Sequence, residues 1–393
     1  MKRLDKLFGT TVENFKNEGG YTTASEIYHQ PSVWEDTLKI VEAQRDELNE
    51  FLKPILAKEN LNIIFSGAGT SGFIGDTVVP HVKAKTGHNA LSLHTTDIVA
   101  EPEVYLKKDQ PTLLLSFARS GNSPESVATI ELAKEMVDEL YQVVITCNKD
   151  GKLAKNIEPE TDKAIILPEE SNDKGLAMTS SYTSMVLASL LIFDLENLEE
   201  TAKEVRKLFP VGEELLNDTS VLEEIVDQNF KKIVYLGTGS FYGLARESSL
   251  KLLELTQGEV ITRYDTPLGF RHGPKAIVDE NTLIVMYLSR DPYTRQYEID
   301  LLKEVYGEDN PFKILVVSET ADEELTNLSH YHIALDDAEF DLEKAYLGID
   351  YVIVAQILSV LMSKKVGINP DNPSPDGNIN RVVEGVTIYP YEQ

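Results

Sequence analysis

Short runs of branched apolar residues alternate with stretches of helical spacing along most of the chain. Runs such as LNIIF (61–65), TLLLS (112–116) and QVVIT (142–146) show no alternating polar face and give way to Gly, Ser or Asn. That pattern belongs to central parallel strands covered on both faces. Between them, segments such as ESVATIELAKEMVDEL (125–140) repeat apolar positions every three or four residues, which predicts helices. Strands alternating with helices imply an α/β fold with doubly wound parallel sheets.

The pattern occurs twice. Ile63 opens IIFSGAGTS and Ile233 opens IVYLGTGSF, while Leu113 opens LLLSFARS and Leu283 opens LIVMYLSR. Both offsets are 170 (233 − 63 and 283 − 113). VVITCN (143–148) is matched by ILVVSE (314–319), and AIIL (164–167) by HIAL (332–335). Each copy closes on a long apolar helical pattern, TSSYTSMVLASLLIFDL or YLGIDYVIVAQILSVLM. Matches held near one register indicate two tandem copies of one fold. The expected organisation is a helical extension over 1–46, a first domain over 47–200, a second over 215–366 and a tail over 367–393, with LEEIVDQNFKK as the linking helix. The tail mixes Val, Ile and Tyr with its Pro and Gly, so it is expected to be ordered. MVLASLLIF (185–193) and YVIVAQILSVLM (351–362) fall short of the roughly 20 residues a bilayer span needs and are expected to be buried core helices. The N-terminus has no continuous apolar stretch of the signal-peptide kind.

Charge narrows the partners. Lys plus Arg number 37 and Asp plus Glu 65, giving −28. Such a surface argues against nucleic acid and against an anionic membrane. It leaves a small anionic ligand open, because local backbone dipoles can overrule global charge. The lone Cys147 cannot form an internal disulfide, which fits a reducing compartment and an expected cytoplasmic location.

In doubly wound sheets ligands sit at the carboxyl ends of the strands, so the loops after the strands carry the chemistry. GAGTSG (67–72) matches G-x-G-x-x-G, but the strand that follows ends in hydroxyls where a dinucleotide site needs an acid, and GTGSFYG in the second copy does not keep the spacing. Tight strand-to-helix turns explain the glycines as well. The loop Ser116–Ser126 is richer: Ser120, Gly121, Asn122 and Ser123 precede Pro124, which suits a helix start. Backbone N–H groups there, with hydroxyl donors, form a compact phosphate site. Capping explains Ser123 alone, not the cluster. The second copy has SRDPYTR (289–295) at this point and lacks the hydroxyls, so the phosphate is expected in the first. Thr179, Ser180 and Ser181 either cap the helix they open or add donors to that pocket.

In the second copy Glu247, Lys251 and Glu254 share one helical stripe. A solvated ion-paired face is the bland reading. A carboxylate held against a lysine near a pocket is the functional one, with the helix expected to place it at the carboxyl edge of the sheet. Arg271-His272-Gly273-Pro274 stands in a turn-rich loop, where histidines tend to be functional. His81, His88 and His94 show no ligand spacing and His330 and His332 alternate along a strand, so no metal is expected.

These motifs resemble a known family. The GAGTS and ARSGNS loops are similar to those of sugar isomerase (SIS) domains, which bind phosphosugars. Two copies and a tail ending in VTIYP resemble the isomerase half of glucosamine-6-phosphate synthase, with ESSLKLLELTQGEV and GFRHGPKAIVD as the specific matches. The full set, with SGAGTSGFIGD, SFARSGNSPES and NRVVEGVTIYP, resembles the AgaS-type galactosamine-6-phosphate deaminases/isomerases over residues 40 to 393. The resemblance implies Ser71, Ser120 and Ser123 as phosphate ligands, with Thr70, Arg119, Asn122, Thr179, Ser180, Glu247, Arg271 and Arg381 around the substrate. It implies Glu254 as enolisation base supported by Lys251, and His272 as the ring-opening residue supplied by a neighbouring subunit, hence a homodimer or larger assembly with a shared site. The substrate implied is a hexosamine 6-phosphate, with no cofactor. The synthase's tail lysine is replaced here by Arg381, which speaks against a Schiff base. Two other activities remain open at this point: aldose–ketose isomerisation of a non-amino hexose 6-phosphate, and non-catalytic phosphosugar sensing.

Overall fold

The computed structural model describes residues 5–307, 312–335, 340–383 and 385–391. They divide into two compact units, one of residues 32–173, 180–202 and 377–393, the other of 1–31, 174–179 and 203–376.

The first of these holds a five-stranded parallel sheet: β1 (Asn62–Ser66), β2 (Asn89–Ser92), β3 (Thr112–Ala118), β4 (Leu140–Thr146) and β5 (Asp162–Ile166). Its order is β2-β1-β3-β4-β5. β1 and β3 are buried at every position, as expected for strands covered on both faces. The second unit repeats the design with β6 (Lys232–Leu236), β7 (Ile261–Asp265), β8 (Thr282–Tyr287), β9 (Lys313–Ser318) and β10 (Tyr331–Ala334). Its order is β7-β6-β8-β9-β10, the same topology. Even the register agrees: Ile63 pairs with Leu113 and Ile233 with Leu283, the residues that define the offset of 170. In both sheets the chain reverses direction between the first and third strands, the switch point where doubly wound folds bind ligands.

The helices are α1 (Val12–Glu18), α2 (Tyr21–Tyr28), α3 (Gln30–Ala43), α4 (Arg45–Leu56), α5 (Thr70–Thr86), α6 (Pro124–Met136), α7 (Ser180–Leu191), α8 (Leu198–Asn217), α9 (Ser220–Asp227), α10 (Ser240–Leu255), α11 (Pro292–Gly307) and α12 (Lys344–Lys365), besides short turns. α1 and α2 belong with the second sheet, where the Asp371 carboxylate accepts the N–H groups of Gly20 (2.9 Å) and Thr23 (2.7 Å) at the start of α2. α12 has 22 residues, longer than its apolar run suggested, and is long and apolar enough to cross a bilayer, yet its apolar window is entirely buried. It is a core helix. Residues 369–383 and 385–391 of the tail form no helix or strand.

Each sheet separates two apolar layers. In the second, Val234, Leu236, Ile284 and Met286 pack on one face with Phe270 and the α11 residues Ile299 and Leu302. The alternate positions face the other way: the Tyr287 hydroxyl meets Ser248 of α10 at 2.8 Å, and Tyr235, Tyr287 and Tyr351 of α12 stack in series.

Candidate functional site

The glycine loops after β1 and β6 share one conformation. Gly69 and Gly239 have φ of +56° and +64°. A Cβ at Gly67 would stand 2.5 Å from the Ser71 backbone, and one at Gly237 2.3 Å from the Phe241 carbonyl oxygen. Both pairs are therefore required by the turn from strand to helix, which accounts for them without a nucleotide. Thr70 and Ser71 open α5 and are buried.

The loop after β3 is held from several sides. Gly121 has a φ of +68°. The Asn122 side chain donates to the Ser120 carbonyl at 3.1 Å and accepts the Lys152 N–H at 3.1 Å. Asn148, at the end of β4, donates to the same Ser120 carbonyl at 2.8 Å. Ser123 stands at the N-cap of α6, but its hydroxyl turns to Ser126 at 2.6 Å and does not cap. The helix start, with Pro124 in its first position, thus keeps its backbone donors uncapped by that side chain. Capping does not explain this serine, whereas a bound anion would use these donors.

Arg119, 7% exposed, donates to the Arg381 carbonyl at 2.7 Å. Arg381 in turn donates to the Asp173 carbonyl and to the Asn172 side chain at 2.9 Å. The tail therefore returns to the carboxyl end of the first sheet. Ser180 and Ser181 resolve differently from the loop serines: their N–H groups and hydroxyls all engage the buried Asp173 carboxylate, so capping describes the start of α7. Thr179 is buried and its carbonyl accepts from Gln356 at 3.4 Å. Cys147 lies beneath this end of the sheet, and burial pushes its thiol up to about 12, which leaves it unreactive. Asn148, Asn172 and Asp173 were not singled out in the sequence; only an Asn at a strand end hinted at the first.

In the second unit the stripe on α10 is not a solvated face. Glu247 and Lys251 have 0% and 1% exposure, and the Lys251 ammonium lies 3.4 Å from Glu247 and 2.6 Å from Glu254. Glu254 retains 24% side-chain exposure, so it is the member of the triad that meets solvent. A buried ammonium between two carboxylates is a costly arrangement that surface pairing does not explain.

The expected place of Glu254 needs correction. It lies fifteen residues beyond Gly239 on a helix that runs back from the carboxyl edge, about 22 Å at the rise of an α-helix. It therefore stands away from its own sheet's glycine loop. His272 is exposed, and no hydrogen bond or ion pair joins it to Glu254 among the described residues. The reason is topological. The turn bearing His272 follows Phe270, which packs on the Val234 and Ile284 face, whereas α10 covers the Tyr287 face. Within one chain the two residues lie on opposite sides of the second sheet. Arg271, beside His272, pairs with Glu304 of α11 at 2.7 Å and does not approach the triad. Among the described residues no group of His, Cys, Asp or Glu is arranged to hold a metal ion.

Comparison with known proteins agrees with this architecture. The SIS domain model matches residues 55–194 and 226–363. The chain is 43% identical to the D-galactosamine-6-phosphate deaminase AgaS of Escherichia coli, over 95% of this chain and 97% of that one. It is 40% identical to the AgaS of Shewanella sp. (strain ANA-3), over 97% and 95%. The crystal structure of tagatose-6-phosphate ketose/aldose isomerase from Escherichia coli superposes with a TM-score of 0.86 at 40% identity, covering 95% of this chain and 98% of the other. Two matched domains and near full-length similarity place the chain in the SIS domain family, among the AgaS proteins.

Proposed function

We propose that the protein converts galactosamine 6-phosphate and water to tagatose 6-phosphate and ammonium. The observation that carries this reading is the Glu247–Lys251–Glu254 triad: two members are buried, and the third presents a carboxylate to solvent beside a fixed ammonium. A carboxylate base next to a positive charge is the equipment for moving a proton between adjacent carbons of an open-chain sugar. The first unit supplies the grip on the phosphate through the Ser120–Ser123 loop, the start of α6 and Ser71, with Arg119 and the tail Arg381 behind them.

His272 assists opening of the pyranose ring. Glu254 removes the proton from C2 of the aldehyde, and the electron pair moves through C1 onto O1, which takes up a proton released by the C2 ammonium to give an enolamine. Glu254 returns the proton at C1, leaving a C2 imine. Water adds to the imine carbon and ammonia departs as the ketose forms. Because Glu254 and His272 occupy opposite faces of one sheet, a second copy of the chain supplies the histidine, and the working unit is a homodimer or larger. The reaction class is a hydrolytic deamination, and the location cytoplasmic.

A second reading is isomerisation of a hydroxy sugar phosphate, which the name of the Escherichia coli structure favours. The same base serves, and only the C2 substituent differs. Ammonium and ketose are measured from galactosamine 6-phosphate, glucosamine 6-phosphate and galactose 6-phosphate. Ammonium from the first is expected; ketose from the last without ammonium from either amino sugar would replace the proposal with the isomerase.

A further inference from the structure

The crevice at the switch point of the second sheet has kept its shape and lost its hydroxyls. Between β8 and α11 the loop is two residues shorter than its counterpart, since Leu283 is offset by 170 from Leu113 but Pro292, first in α11, by 168 from Pro124, first in α6. Two carboxylates stand there. Asp291 accepts the Thr294 N–H at 2.8 Å and so caps α11, where Ser123 leaves α6 uncapped. Glu298, the seventh residue of α11, is 0% exposed and reaches back to accept the Ser289 N–H at 2.8 Å. The seventh residue of α6 is Ile130.

Glu298 is the less expected of the two. Its other carboxylate oxygen has no hydrogen-bond partner. Burial pushes its carboxyl up to about 7, against the opposing pull of the Ser289 N–H, the Thr238 hydroxyl, Lys344 and Arg295. Those are the groups of an anion cradle: a loop N–H, a hydroxyl from the glycine loop, and two cations, with the Lys344 ammonium about where a Cβ on Gly239 would touch it. Outside this point the crevice opens into a cavity of about 460 Å³ lined by Thr238, Thr266, Thr294, Tyr293 and Tyr297.

We propose that the carboxyl groups of Glu298 and Asp291 fill the second repeat's vestigial phosphate site, so that each chain takes one phosphosugar and the second crevice stays closed to it. The inference rests on the reading that the first repeat binds phosphate. Isothermal titration with inorganic phosphate and with a hexose 6-phosphate tests it on the full chain. The wild type is expected to bind one equivalent, and Asp291→Ser/Glu298→Ile, which restores the first repeat's residue types, two. The new site is expected to be at least about tenfold weaker, because the hydroxyl donors are still missing. Asp291→Ser alone changes an exposed side chain and serves if the double variant does not fold; it is expected to add a still weaker second equivalent. Ser120→Ala/Ser123→Ala separates the two readings: loss of the wild-type equivalent there supports the first-repeat site, whatever the second does. Two equivalents in the wild type, or a single equivalent in every folded Asp291 and Glu298 variant, would overturn the proposal.

Discussion

The two halves of this chain fold alike, and the proposed function gives them opposite tasks. Both sheets share strand order, register and glycine turns, yet the first leaves the helix start after its third strand uncapped by Ser123, and the second closes the same place with Asp291 and Glu298. The second half instead places a carboxylate–ammonium–carboxylate stripe along α10 where the first half has none: at the matching offset, Glu247, Lys251 and Glu254 correspond to Thr77, which meets the Tyr182 hydroxyl, His81, which faces Asp194, and Ala84. On the proposed reading, one copy grips and the other reacts. The lesson is that a repeated backbone fixes where donors can be, and side chains decide whether they face a ligand or are satisfied from within.

The sharpest way to break this division is at the base. Glu254→Gln is expected to lower kcat about a thousandfold or more, within the range for general acid–base groups, while hexosamine 6-phosphate binding measured by titration stays within about twofold. Near-normal ammonium release would remove Glu254 from the reaction. A second test concerns the resident carboxylate. Glu298 keeps its proton in the fold up to about pH 7, against an ordinary value of 4.5. The folded state therefore binds more protons than the unfolded state between these values, and stability falls as pH rises through that window, by about 3 kcal/mol at most, then levels off. In Glu298→Gln this component should vanish, so urea unfolding of the two proteins at pH 5 and pH 8 should show the variant gaining relative to wild type at the higher pH. An unchanged difference would mean that Glu298 is not buried as a titrating group.

Smaller effects sharpen the picture. Ser120→Ala/Ser123→Ala should raise KM about a hundredfold with a smaller change in kcat, since each serine offers one hydrogen bond to a charged group, worth about tenfold, whereas Ser289→Ala in the second repeat should leave KM alone. Equal effects at the two loops would deny the asymmetry. Finally, Glu254→Gln and His272→Ala subunits, each inactive, should recover about a quarter of wild-type activity when mixed one to one and allowed to exchange, because half the dimers then hold one intact site. No recovery, with exchange verified, would place both residues in one chain's site.

Much of this was legible in the sequence. Apolar runs marked eight of the ten sheet strands, and ALSLHTTD gave a ninth before its hydroxyls turned into a helix at Thr95; β7, the edge strand ITRYD, was missed because its polar, part-exposed residues show no apolar run. The offset of 170 held in the strand pairing itself. The Glu247–Lys251–Glu254 stripe was visible, but not which side of the helix was buried, because a stripe of charges has the same spacing in solvent and in a core. The wrong edge for Glu254 followed from locating a helix by its first residue when the group sits at its last turn. Glu298 passed unnoticed, since an acid in a run such as RQYEIDLLKE looks like any solvated position until the fold brings Ser289 to it.

The division of the chain has a temporal consequence. Passing from one compact unit to the other, the polypeptide crosses at 31/32, 173/174, 179/180, 202/203 and 376/377. The residues that complete the first unit, Arg381 among them, are thus made only after the whole of the other unit. A nascent chain stalled between residues 273 and 376 carries Glu254 and His272 but not Arg381, so on the proposed reading it would hold the groups assigned to proton transfer while its phosphate cradle is still unfinished.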